Sequence, residues 1–160
     1  MKPILYSLGL VIGAISLTQA QSPSLASAGN TVPGLKTTQA LGGTSWQLVK
    51  FRGGDGATLI PDDKTKYTVA FKEDGRVAVR LDCNRGSGTW KSTQPNQLQF
   101  GPMALTRAMC LNMTLHDRIA NDWAAVRSYV LKNGHLLLSL AANAGTYEFE
   151  PSSGDAADAR

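Results

Sequence analysis

Cysteine and histidine are scarce in this chain, with two of each in 160 residues. His116 and His135 stand far apart, and no Cys/His/Asp spacing resembles a metal site, so none is expected. No Ser-His-Asp set, P-loop or dinucleotide-binding fingerprint occurs, so the sequence points to no catalytic residue and no cofactor. Ser45 and Ser87 lack the flanking residues of a nucleophile elbow. Neither sign of charge dominates: 16 Lys+Arg face 12 Asp+Glu, a net charge of +4. The excess is spread along the chain and forms no basic stripe, which argues against a nucleic-acid surface. Beyond the N-terminal segment no apolar run is long enough to cross a bilayer.

What is present begins with a targeting signal. Met1-Lys2 is followed by the apolar stretch Ile4 to Leu17 and by Thr18-Gln19-Ala20, with small residues where a cleavage site needs them. Residues 1–20 therefore read as a secretory signal peptide, with a second possible cleavage after Ala28. No cysteine follows the apolar run, so there is no thiol to acylate and a lipoprotein anchor is not expected. The mature protein is expected in the periplasm or secreted, with no membrane span. Residues 21–40 read as a flexible linker rich in Ser, Thr, Gly and Gln, and 151–160 as a disordered tail. Residues 41–150 remain as one foldable domain, and a monomer is expected.

Hydrophobic periodicity makes that domain mainly β. Strands are expected at 44–51, 65–71, 76–81, 88–91, 97–100, 127–131, 136–140 and 146–150, about eight in all, with Pro151 stopping the sheet. In 76–81, Val77, Val79 and Leu81 share one face while Arg76, Ala78 and Arg80 share the other, so one face is buried and one wet. Glu73-Asp74-Gly75 and Asn133-Gly134 are hairpin signals. One helix is expected, from Thr114 to Val126, with Thr114 as N-cap and Leu115, Ile119 and Trp123 as an apolar stripe. The expected architecture is a curved antiparallel sheet forming a small incomplete barrel, with one helix packed against it. Trp46, Trp90, Trp123, Tyr67, Phe71, Phe100 and Phe149 are candidate core residues; the alternative is that some of them line a cleft for an acyl chain.

The densest cluster of special residues lies between Asp82 and Cys110. In an exported protein, Cys83 and Cys110 are most simply one disulfide, worth about 3–4 kcal/mol by loop closure. Reduced structural thiols, or a thiol nucleophile served by His116, are the alternatives. Gly86-Ser87-Gly88 reads as a turn. If the cysteines join, Asn84 and Thr106 come together and hold that loop. Arg85 and Arg107 would then lie near one another and near Asp82, either as a polar brace or as a site for an anion or partner. Asp82, Asn84, Arg85, Thr106 and Arg107 are accordingly the candidate binding residues.

Several segments together resemble a known family. They are Leu41-Gly-Gly-Thr-Ser-Trp46, Phe71-Lys-Glu-Asp-Gly75, Cys83-Asn84-Arg85-Gly-Ser-Gly88-Thr-Trp90 and Met103-Ala-Leu-Thr106-Arg107-Ala-Met-Cys110, followed by Tyr129 and Asn133-Gly134-His-Leu136. In this order they are similar to the META-domain family, the HslJ-like, heat-shock-associated envelope proteins. Asp82 stands where that family usually has Gly before Cys-Asn. The resemblance implies a cracked-barrel fold and no known catalytic residues. It implies a non-enzymatic binding or accessory module of the bacterial envelope, linked to stress response. Its partner would be an envelope protein or a small ligand, and a lipid carrier is the alternative.

Overall fold

The computed structural model describes residues 41–110 and 113–152. The expected signal peptide and linker, and the tail beyond 152, lie outside the described residues. Ten strands and one α-helix follow in order. β1 is Thr44–Gly53, β2 Thr58–Leu59, β3 Tyr67–Phe71, β4 Arg76–Leu81 and β5 Asn84–Lys91. β6 is Gln99–Phe100, β7 Ala104–Leu105 and α1 Thr114–Asp122. β8 is Val126–Lys132, β9 His135–Leu140 and β10 Gly145–Pro151. The strands run antiparallel in the order β6-β5-β4-β3-β1-β10-β9-β8, with β2 beside β1 and β7 beside β5. The sheet curls until its edges nearly meet. Leu98 N–H donates to the Arg127 carbonyl (3.0 Å) and Tyr129 N–H to the Asn96 carbonyl (2.9 Å), which stitches part of the seam and leaves the rest unsealed.

The expected mainly β incomplete barrel is therefore found. Alternation sets its inside: Tyr67, Val69 and Phe71 of β3 and Val77, Val79 and Leu81 of β4 are buried. Both turn signals act as expected. Gly75 (φ 82°) closes the β3–β4 hairpin, and Asn133 and Gly134 (φ 53° and 78°) close β8–β9.

β1 departs from simple alternation. The extra residue of a bulge shifts the register between Leu48 and Lys50, so Trp46, Leu48 and then Phe51 face inward. Lys50, which strict alternation would put on the Trp46 face, instead reaches Glu148 of β10 at 2.9 Å. Pro151 does not stop the sheet: it pairs with Trp46, and Ser152 N–H still donates to the Ser45 carbonyl. A proline is tolerated there because it is the last residue of its strand.

The helix stripe is borne out, since Leu115, Ile119 and Trp123 are all buried. The ends differ from expectation. Thr114 is the first helical residue and not the cap; Met113 precedes it without a side-chain cap bond. The α-helix ends at Asp122 and tightens to a 3-10 turn at Trp123–Ala125. Side chains at both ends hold it. Tyr147 Oη donates to Asp122 (2.7 Å), and Arg118 donates to the same carboxylate (2.7 Å) while lying 4.5 Å over the Phe51 ring. Trp123 stacks on Phe100 with centroids 3.9 Å apart and donates to the Gly101 carbonyl at 3.2 Å. Burial, followed by the bond to Asp122, raises the Tyr147 phenol well above its ordinary range, so it stays a donor. Among the described residues no helix is long and apolar enough to cross a membrane.

Trp123→Ala removes this anchor and is expected to destabilise the domain by about 3–5 kcal/mol in denaturant unfolding. A loss below about 1 kcal/mol would mean that the helix stripe carries no packing energy. Acid should also weaken the barrel wall. The bonded Lys50 ammonium, aided by His135, holds the Glu148 carboxyl below its usual range. A depressed folded-state pKa contributes stability above the unfolded value, about 4.3, and loses it as pH falls through the folded value. The denaturation midpoint should therefore fall between about pH 5 and pH 3, and Lys50→Met should make that fall shallower. Identical pH slopes for the two proteins would refute the assignment.

Candidate functional site

The site grows from the two-residue connection between β4 and β5. Leu81 pairs with Asn84, so Asp82 and Cys83 must turn the chain alone. Asp82 does so at φ 56°, in the left-handed region. That explains why glycine suits this position, and Asp is among the few other residues that tolerate it. The Asp82 carboxylate then faces Lys66 at 3.9 Å, and its carbonyl accepts from Arg80 Nε at 3.1 Å. The left-handed turn aims it back toward the residue preceding β3. Burial first, then the nearby Asp82 and Asp62, push the Tyr67 phenol up to about 12.

Immediately after the turn, Asn84 is fully buried. Its Oδ1 accepts from Ala108 N–H (2.7 Å) and from Thr106 Oγ1 (2.9 Å). The backbone donor at Ala108 fixes which way the amide points. Its Nδ2 then faces the Ala108 carbonyl (2.9 Å) and His116 Nε2 (3.3 Å), with Cys110 Sγ at 3.2 Å. His116 Nδ1 lies 2.9 Å from Asp117 Oδ1. A proton on Nδ1 satisfies both contacts, with Nδ1 donating to the carboxylate and Nε2 accepting from the amide. Thr106 is used on both sides as well, since its Oγ1 also accepts from Arg85 N–H at 3.0 Å.

Cys83 and Cys110 form a disulfide, with Cα atoms 5.7 Å apart and a separation of 27 residues. In the chain-entropy account a loop of that length contributes about 3.5 kcal/mol. Gly86 and Gly88 are not a turn: they lie within β5, which begins at Asn84 and not at residue 88. A Cβ on Gly86 would meet the Ala104 carbonyl at 2.7 Å, and one on Gly88 the Pro102 carbonyl at 2.9 Å. The glycines are there so that the 101–106 segment can lie directly on β5.

Beside this segment opens a cleft of about 810 Å³. One wall is the 100–109 segment and the other is α1 with the turn after it. Phe100, Trp123, Ala120 and Ala124 form apolar surface, and Met103, Met109 and Met113 surround it. The chain has four methionines, and every one after Met1 lines this cleft. Met109 is 95% exposed at the rim. Asn84, Thr106 and Arg107 border the cleft, so three of the five candidate residues reach it and Asp82 and Arg85 do not. Among the described residues no group of three His, Cys, Asp or Glu is placed to hold a metal ion. The methionine cluster and His116 were not singled out as cleft residues on the sequence. The concentration of methionine between residues 103 and 113 was the available signal.

Asn84→Ala leaves the Ala108 amide, the Thr106 hydroxyl and His116 Nε2 without their buried partner. It should cost about 2–4 kcal/mol in unfolding under non-reducing conditions. The near-isosteric Asn84→Asp should also be destabilising, because it turns an acceptor toward the Ala108 carbonyl. An effect below about 0.5 kcal/mol in both variants would remove Asn84 from its structural role.

Residues 39–153 match the META domain family. Among solved structures, a protein from Burkholderia xenovorans determined by NMR superposes with a TM-score of 0.60 at 21% identity, covering 74% of this chain and 88% of that one. A DUF4847 family protein from Bacteroides vulgatus superposes with a TM-score of 0.53 at 16% identity, covering 72% of this chain and 97% of that one. At these identities the likeness concerns the fold. No curated protein matches the chain.

Proposed function

The chain belongs to the META-domain family, and from that premise we propose that it is an exported, non-enzymatic binding module of the bacterial cell envelope whose cleft receives a hydrophobic ligand. The observation that carries this reading is the cleft of about 810 Å³ with its apolar, methionine-rich walls. Its volume falls in the range of small-molecule sites, which are mostly apolar with a few placed polar groups. Unbranched methionine side chains adapt to varied apolar shapes. An almost fully exposed Met109 is an apolar surface that a ligand would cover.

The polar residues favour binding over chemistry. His116 is occupied at both nitrogens, and both sulfurs are tied in the disulfide. A thiol nucleophile has no free thiolate in this state. Asn84 and Thr106 are likewise consumed by internal bonds, which favours ligand uptake in the cleft over partner recognition through those side chains. Export is supported by the N-terminal segment and by a disulfide that oxidising compartments sustain. A stress-linked envelope role belongs to the same proposal and rests on the family resemblance.

The test has two arms. Protein recovered from the native host should sit in the periplasmic or secreted fraction, with its N-terminus just after Ala20 or Ala28. The purified protein should enhance and blue-shift the emission of the uncharged probe N-phenyl-1-naphthylamine. Ala120→Trp, which fills the cleft from α1, should abolish that response while keeping the wild-type circular dichroism. Cytoplasmic retention would refute export, and an equal response in the folded Ala120→Trp variant would refute the cleft.

A further inference from the structure

We infer that the cleft binds a single-chain amphiphile with an anionic head group, a fatty carboxylate being the simplest, with its tail between α1 and the 100–109 segment and its head on Arg107. The inference rests on the proposed cleft function and specifies its ligand.

The placement of polar groups carries the argument. Inside the cleft, Asn84 spends its amide on Thr106, Ala108 and His116. His116 is paired with Asn84 on one nitrogen and Asp117 on the other. The Thr106 hydroxyl bridges Asn84 and the Arg85 backbone. These groups already have partners, and binding a polar head there would mean breaking hydrogen bonds that are already made. The interior therefore acts as an apolar surface despite its polar residues, and it suits a hydrocarbon tail.

Arg107 is different. It borders the cleft, is exposed, and has no carboxylate partner among the described residues. Among the described residues no Asp or Glu lines the cleft, and Arg107 is the charged side chain at its edge. A guanidinium presents a planar fork of donors that matches a carboxylate in bidentate fashion. One apolar trough with a cation at its edge that meets no acidic partner among the described residues fits one tail and one anionic head. A neutral or cationic amphiphile would leave the guanidinium unsatisfied or repelled.

The test displaces bound N-phenyl-1-naphthylamine with dodecanoate or dodecyltrimethylammonium, each below its critical micelle concentration, or with dodecanol below its solubility limit. Dodecanoate should displace the probe at concentrations about tenfold or more below the other two. Arg107→Gln should weaken dodecanoate about tenfold relative to dodecanol measured on the same variant. Arg107 is exposed, so the variant should fold, and its circular dichroism checks this. Added salt should weaken dodecanoate only. If the three amphiphiles compete equally, or if Arg107→Gln leaves dodecanoate unaffected, the head-group assignment is wrong while the cleft function stands. If the probe does not bind the wild-type protein, the cleft function itself fails.

Discussion

One buried amide organises the functional end of this molecule. Asn84 sits at the first position of β5; it meets the 106–110 segment with its acceptor oxygen and one N–H, and His116 of α1 with the other N–H. A fully buried polar side chain is stable only when its hydrogen bonds are made, and here each partner comes from chain more than twenty residues away. The amide thus fixes the wall segment against the sheet and the N-terminal turn of α1 against both. The disulfide beside it removes freedom from the unfolded chain, whereas the amide sets the folded geometry. Gly86 and Gly88 complete the arrangement by letting the wall lie close on β5.

The cleft follows from an imperfect barrel. β6 and β7 continue the antiparallel pairing along β5 but are separated by Gly101-Pro102-Met103, where proline offers no N–H to a ladder. That interruption, with the incompletely stitched seam, leaves room between wall and helix. The helix cannot collapse into it, because Tyr147, Asp122, Arg118 and Phe51 hold it to β1 and β10. The Phe100–Trp123 stack supports its other end. A cleft between two independently anchored walls can stay open without a ligand, and its polar groups are already satisfied.

Much of the fold was legible in the sequence. β3, β4, β9 and β10 alternate cleanly because one face of each is buried, and their hairpins carry residues suited to positive φ. The Leu115-Ile119-Trp123 stripe marked the helix for the same reason. Local patterns misled where one residue type serves two purposes. Glycine permits a turn and also a close approach, so Gly86-Ser87-Gly88 read as a turn though it is strand. The bulge at Leu48–Lys50 leaves no compositional mark, so strict alternation gives the wrong face for Lys50. The pairing of Asn84 with Thr106 was anticipated from the cysteine pair, whereas the turn of Asp82 toward Lys66 was not. A single left-handed residue decides that, and its direction is invisible in the one-dimensional pattern.

The sequence by itself therefore determined the class of fold, the number and order of most strands, the helix face and the pair of cysteines, since each depends on periodicity or on composition within a short window. Only the tertiary structure decided which polar residues are spent on one another. Asn84, Thr106 and His116 look as available in the sequence as Arg107 does. Their partners arrive from distant segments, and the resulting hydrogen bonds leave the cleft apolar inside with one cation at its mouth.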